Sequence, residues 1–425
     1  MTPTNLRLAL RLFLAAAALP RCVAAAETAP PKSWIDPDTG HRVTRLTDEP
    51  DSASLYFNDN SITPDGREMV YTTAKGISVL NLATLGTRLV VPAPARVIVV
   101  GHRTPTVFYT RGNTARASLY ATNIDTGETR KLADLPDRAS VGSINADETL
   151  AGGTRIVGSG ADYGERGAGG AQGHGLLQPV NKPQMMENRL SAHLPMELFT
   201  VDLRTGAVNV ILRSTDWLNH LQFSPKDPSL LLYCHEGTWW KVDRIWTIRT
   251  DGTGNTLVHK RTMGLESAGH EFWSADGKTI WYDIRFPWGV DFFVGGYNVE
   301  TRERTWYHMN LRGWSIHYNM SPDGTLFCGD GGSHARVDWA SEENEWIYLF
   351  RPERLADADT LGTDLIHPGF FHDERLVNMS KHNYFLEPNP FFTPDQKYVI
   401  FRSNMFGSTY PFAVEVAKAA QGSAK

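Results

Sequence analysis

Short apolar runs, each preceded by a polar turn of nearly constant composition, recur along this chain. Thr63-Pro64-Asp65-Gly66 precedes REMVYTT, Ser274-Ala275-Asp276-Gly277 precedes KTIWYDI, Ser321-Pro322-Asp323-Gly324 precedes TLFCGD, and Thr393-Pro394-Asp395-Gln396 precedes KYVIFRS. Looser copies are Ser224-Pro225-Lys226-Asp227 before SLLLYCHE, Asn145-Ala146-Asp147-Glu148 before TLAGGTR, and Arg103-Thr104-Pro105-Thr106 before VFYTR. Between many of them lies an apolar strand, a turn rich in Asx, Thr and Gly, and another strand, as in ATNIDTGETRKL, FTVDLRTGAVNVIL, WTIRTDGTGNTLV and GGYNVETRERTWY. Pro presets one turn angle and Gly admits the left-handed one, so these segments join antiparallel strands. A turn–strand–hairpin unit repeated every ~40–50 residues marks the blades of a propeller. The pattern predicts an all-β fold, a seven-bladed β-propeller, as a single domain over residues 27–425.

The spacing between repeats widens twice. Residues 158–191, rich in Gly and Gln and without periodicity, read as a long loop. Residues 351–381 read as a second polar insertion, carrying His367 and His372, with His382 at its end. Long loops on such a fold tend to gather at the binding face. No long helix is predicted.

Composition is that of an ordinary globular protein, with 41% hydrophobic and 21% charged residues in 425. A net charge of −5 supplies no basic field, so neither nucleic acid nor a membrane surface is an expected partner. An acidic ligand would need local cations. Residues 1–26 read as a signal peptide: Arg7 and Arg11, the apolar run LFLAAAAL, then VAAA before Glu27. The apolar run is too short to span a bilayer, so a periplasmic or secreted protein is expected. Cys22 follows Arg21, a poor lipoprotein context. Cys234 and Cys328 sit in apolar strand-like runs and read as buried free thiols.

The segments WLNHLQFSP, CHEG, VDRIWTI, GHEFWSADG and SIHYNMSPDGTLFCGDGGS, in that order, resemble the oligogalacturonate lyases, polysaccharide lyase family 22. GHRVTRLT and SLYFNDNSITPDG resemble that family's opening. The resemblance implies His270, in His-Glu-Phe-Trp, as general base, and Arg244, in Arg-Ile-Trp, as a catalytic group that also binds substrate. It implies His317 as a metal ligand, and substrate-pocket roles for His220 and His235. Where the family carries a Gln and then His-Pro-His-Pro, this chain has Tyr384 near the Gln position and Glu387-Pro388-Asn389-Pro390. The implied ligand set here is therefore His317, Glu387 and Asn389, suited to a divalent ion such as manganese or calcium, with His382 as an alternative ligand. The implied partner is an acidic oligosaccharide.

β-Elimination across a uronide removes the C5 proton, which is α to a carboxylate. That carboxylate must first be neutralised, by a metal ion or a guanidinium. Neutral imidazole, of ordinary pKa about 6.5, suits the base. The residues also admit plainer readings. His270 could pack or hydrogen-bond, and Arg244 could pair with Asp243 or with a neighbouring blade. Asp330 reads as a turn residue, and Glu271 should point away from His270 by strand alternation. Trp239 and Trp240 could stack on sugars or be core. A non-catalytic periplasmic binding propeller and a lyase for another uronic-acid glycan remain alternatives. A hydrolase would need paired carboxylates that the sequence does not reveal. Chain-length preference, endo or exo action and oligomeric state have no signature.

Overall fold

The computed structural model describes residues 30–113, 115–158, 182–287, 289–310, 313–333, 344–356 and 365–420. Residues 1–26, read from sequence as a signal peptide, and residues 159–181 of the first insertion lie outside the described residues.

The recurring turns hold themselves shut through their own side chains. Ser274 Oγ donates to Asp276 Oδ1 at 2.6 Å and accepts from the Thr279 N–H at 2.9 Å, while the Lys278 N–H reaches Asp276 Oδ1 at 3.1 Å. Thr63–Asp65, Ser321–Asp323 and Thr393–Asp395 repeat the hydroxyl–carboxylate bond at 2.7 Å each. Gly66, Gly277 and Gly324 then take left-handed φ of 75°, 70° and 76°.

Each turn leads from an inner strand into an antiparallel meander. Four-stranded meanders run Ala53–Ser54, Glu68–Thr73, Gly76–Asn81, Thr87–Pro92; then Arg96–Val100 to Thr129–Asp134; Ala139–Ile144 to Val208–Ser214; and Trp217–Phe223 to Thr256–Leu257. An eight-stranded sheet consists of two further meanders. One runs from Ser267–Trp273 to Arg304–His308, the other from Tyr318–Met320 to Ile366–Asn378, and their outer strands join in parallel, Arg304 opposite Ile366. The last sheet draws on both chain ends: Phe391–Phe392, Tyr398–Phe406 and Ser408–Lys418 are extended by His41–Arg45 and Ser33–Ile35.

The apolar core lies between consecutive meanders. Val70 and Val79 meet Val100 and Tyr109. Phe108 meets Phe199, and Leu198 meets Leu218 and Tyr233. Leu232 and Ile245 meet Ile280 and Tyr282. Trp281 and Val294 meet Phe327 and Phe350, and Leu349 meets Phe401 and Phe412. Phe391 and Ile400 then meet Met69 and Tyr71, which returns the series to the first meander. The result is a closed, propeller-like ring. Each fully buried side chain of this kind contributes about 1.5–3 kcal/mol.

Two loop readings change. Lys182–Ser191, within the first insertion, is a helix. Met186 and Arg189 on it are buried, and the Arg189 guanidinium lies 5.2 Å from the Trp217 ring centroid. Three turns, polar on average, are too short for their period to stand out in sequence. The second insertion is largely strand: Ile366–Asn378 pairs along Trp346–Arg354, burying Phe371, Leu376 and Val377. His367 and His372 leave that strand toward Glu303 and Glu353, at 3.1 and 2.7 Å. Among the described residues no helix is long and apolar enough to cross a membrane.

Candidate active site

Four of the expected site residues occupy one equivalent position, four residues before the first residue of the following turn: His220 before Ser224, His270 before Ser274, His317 before Ser321 and Asn389 before Thr393. The inner strands are bulged there, between Asn219 and Gln222 and between Gly269 and Phe272. His220, His270 and Asn389 hold left-handed φ of 48°, 48° and 51°, a conformation costing about 1–3 kcal/mol for a side chain-bearing residue. Bulges of this kind re-aim side chains. Here they bring the His270 and His317 rings to 4.7 Å, edge to face, with Tyr56 and Phe57 packed on His317 at 5.3 and 5.1 Å.

His270 is a quarter exposed. Its Nδ1 meets Asp283 Oδ1 at 2.9 Å, and Asp283 Oδ2 takes Arg285 at 2.6 Å. Burial works to raise the Asp283 carboxyl, but Arg285 and His270 outweigh it and hold it below the usual range. An ionised carboxylate only accepts, so the proton sits on Nδ1 and Nε2 carries the bare lone pair. Burial also depresses the imidazole pKa below its ordinary value; Asp283 opposes this, while His317 and Arg285 reinforce it. His270 is therefore neutral near pH 7, with Nε2 ready to accept a proton.

His317 is fully buried. Asp330, read from sequence as a turn residue, is instead its buried anchor. Oδ2 meets Nδ1 at 2.6 Å, and Oδ1 accepts the Ile316 and His317 N–H groups at 3.0 and 2.9 Å. His317 Nε2 is buried without a hydrogen-bond donor and lies 3.7 Å from Glu387 Oε2. Asn389 is buried too. Its Nδ2 donates to the Glu387 carbonyl at 2.9 Å, while Oδ1 has no hydrogen-bond partner.

Arg244 sits at 5% exposure between two carboxylates from adjacent meanders. Nη1 donates to Glu236 at 2.5 Å; Nε and Nη2 donate to Glu271 at 3.2 and 3.3 Å. His220 Nε2 reaches the far oxygen of Glu236 at 2.9 Å, and the Cys234 thiol bonds Glu271. Burial pushes both Glu236 and Glu271 upward, yet Arg244 overrides it and keeps both ionised. Glu271 thus faces Arg244 while His270 faces His317, as strand alternation requires.

Other candidates lie elsewhere. His235, between Cys234 and Glu236, points to the opposite face, stacked on Trp246 at 4.8 Å and 3.4 Å from Asp216. His382 bonds the Ser403 hydroxyl at 3.0 Å and the Leu386 carbonyl at 2.7 Å, so both ring nitrogens serve the local structure and it is no spare ligand. Trp239 packs on the cluster that holds the helix. Cys234 and Cys328 are buried free thiols, as expected. Among the described residues no three His, Cys, Asp or Glu side chains form a metal-binding group.

A small open cavity of about 30 Å³ lies beside this cluster, lined by Tyr56, Asp59, Ser140, Asn219, His220 and Gln222 among others. Sequence reasoning missed Tyr56, Asp283 and Glu236 as site residues. Only the tract SLYFND, already noted for its likeness, carried a signal for the first.

An all-β propeller-like ring with imidazoles and carboxylates at its centre is the class this geometry defines. Residues 178–420 match the oligogalacturonate lyase family, and the chain belongs to that family. An oligogalacturonide lyase of Pectobacterium atrosepticum is 30% identical over 226 residues, 52% of this chain and 55% of that protein. An oligogalacturonate lyase of Dickeya dadantii is 28% identical over the same length and shares. The chain spans about half the length of these curated relatives. A solved oligogalacturonate lyase in complex with manganese superposes with a TM-score of 0.70 at 24% identity, covering 91% of this chain and 96% of that one. The oligogalacturonate lyase of Vibrio parahaemolyticus gives 0.71 at the same identity and coverage. These two establish a shared fold.

Proposed function

We propose that this protein is a carbohydrate lyase that cleaves uronic-acid oligosaccharides of the oligogalacturonate kind by β-elimination, leaving a 4,5-unsaturated uronide. One observation carries the reading: an imidazole whose proton is fixed on Nδ1 by an ionised Asp283, presenting a bare Nε2 at the centre of the ring.

His270 Nε2 takes the C5 proton, and the electrons of that bond form the C4–C5 double bond as the C4–oxygen bond breaks. One N–H on Nη1 and one on Nη2 of Arg244 remain beyond those given to Glu236 and Glu271, and these are the donors proposed for the substrate carboxylate. His220 and the amides of Asn219 and Gln222 line the cavity with sugar-binding chemistry.

A divalent ion fits His317, Glu387 and Asn389. Nδ1–H is committed to Asp330, so the buried Nε2 lone pair lies 3.7 Å from the Glu387 carboxylate without a hydrogen-bond donor, and the Asn389 Oδ1 is likewise without a donor. Imidazole, carboxylate and amide oxygen together suit manganese or calcium, and Asp330 orients the imidazole from behind. When bound, the ion would neutralise the substrate carboxylate and so acidify the C5 proton. Glu387 and Asn389 stand where the family motif has His, which favours a related uronide over oligogalacturonate itself as a second reading.

The meanders, their linking core clusters and the closing strand from the amino terminus support a count of seven blades. The leader-like residues 1–26 support a periplasmic or secreted site of action. Incubation with a panel of uronic-acid oligosaccharides, with and without a chelator, tests the activity through the ultraviolet absorbance of the unsaturated product. The reading predicts product from at least one uronide, reduced by chelation. No product from any of them would make the protein a binding propeller.

A further inference from the structure

A base accounts for half of an elimination. The departing glycosidic oxygen also needs a proton, and in a galacturonide chair the C5 hydrogen and the C4 oxygen project to opposite faces of the ring. One group cannot serve both. His270 therefore requires a partner that reaches the sugar from another part of the ring.

Asp59 has that placement. It stands four residues before Thr63, the place His220, His270, His317 and Asn389 fill in their own repeats. It lines the cavity with Tyr56 and His220. Its segment is tied directly to that of the base: Asn58 Nδ2 donates to the Glu271 carbonyl at 2.9 Å, and Phe57 packs on Phe272 at 5.9 Å. Among the described residues its half-buried carboxyl enters no hydrogen bond or ion pair.

We infer that Asp59 is the general acid of the elimination, giving its carboxyl proton to the oxygen that leaves C4 while His270 takes the proton from C5. The inference rests on the lyase reading above. The step balances. The C5–H electron pair becomes the second C4–C5 bond, and the C4–O pair stays on oxygen and is protonated. Asp59 carboxylate and His270 imidazolium then exchange protons with solvent. Burial raises the Asp59 carboxyl to about 7, against the pull of the nearby Arg96 and Arg402, and His220 is the titratable group that shares the cavity lining with it and Tyr56. A carboxyl of that strength holds its proton near neutrality and can still release it. The neighbouring Tyr56 phenol is a far weaker acid, because burial and the nearby Glu387 raise it well above its ordinary value.

Asp59→Asn, assayed on an oligogalacturonide and on a 4-deoxy-4-fluoro galacturonide, tests the assignment, since fluoride leaves without a proton. The expected result is a loss on the order of a hundredfold or more on the glycoside, little change on the fluoride, and disappearance of the decline in glycoside rate above about pH 7. Loss on both substrates is expected for His270→Ala. Wild-type rates for Asp59→Asn on the glycoside, or an equal loss on both substrates, would overturn the role. A wild-type protein inactive on both would instead defeat the galacturonide reading on which the inference rests.

Discussion

Two arcs of the ring are built alike and equipped differently. In the 96–134 and 139–214 meanders the inner strand bulges between Val97 and Val99 and between Val141 and Ser143. Ile98 at the first bulge is core, and Gly142 at the second lies close under Leu221. In the 217–257 and 267–308 meanders the same bulge carries His220 and His270 in a left-handed conformation, backed by Glu236 and Asp283. A bulged inner strand is thus a property of the fold, and the equipped arc adds to it a left-handed residue that bears an imidazole.

Substitutions on the two arcs should accordingly have unequal effects. The largest belongs to His270→Ala, expected to lower kcat on a uronide by ~10²–10⁴-fold while leaving the thermal midpoint within a few degrees of wild type. Arg244→Met comes next. It strands Glu236 and Glu271 as buried carboxylates, at a stability cost of about 3–5 kcal/mol in denaturant titration. Adding Glu271→Gln to that variant should recover part of the loss. Asp330→Asn releases the His317 ring, and affinity at the proposed metal site, titrated with manganese by calorimetry, should fall ~10–100-fold. Ile98→Val, on the unequipped arc, should cost only ~0.5–1.5 kcal/mol and leave kcat unchanged. A fall in kcat there comparable to that of His270→Ala would erase the distinction between the arcs.

The sequence displayed the repeating frame because Ser or Thr, Asp and Gly sit at fixed offsets for local hydrogen-bonding reasons, within a few residues of one another. His270, His317 and Asn389 could be placed through the likeness of their motifs to the lyase family. Their orienting carboxylates could not. Asp283 comes from the adjacent strand, where Gly269 is its ladder partner, and only strand register reveals that. Asp330 looked like punctuation in a Gly-rich run, yet it is buried and gives both oxygens to the 316–317 segment. Arg244 was visible as a cation but not as one shared between carboxylates of two meanders. Short helices and long outer strands such as Lys182–Ser191 and Ile366–Asn378 took their structure from tertiary packing, which no local pattern announces.

The claim that matters most is that the neutral imidazole of His270 is the proton acceptor. Its burial sets the sign of the pH dependence: the ring is depressed below its ordinary value, so the base stays competent as pH falls and fails only when Nε2 becomes protonated. Following the His270 ring by NMR titration alongside kcat/KM on one uronide makes the comparison directly. The acid limb of the rate and the titration of that ring should share one midpoint, below about 6.5. A rate that stays flat while His270 gains its proton would contradict the account.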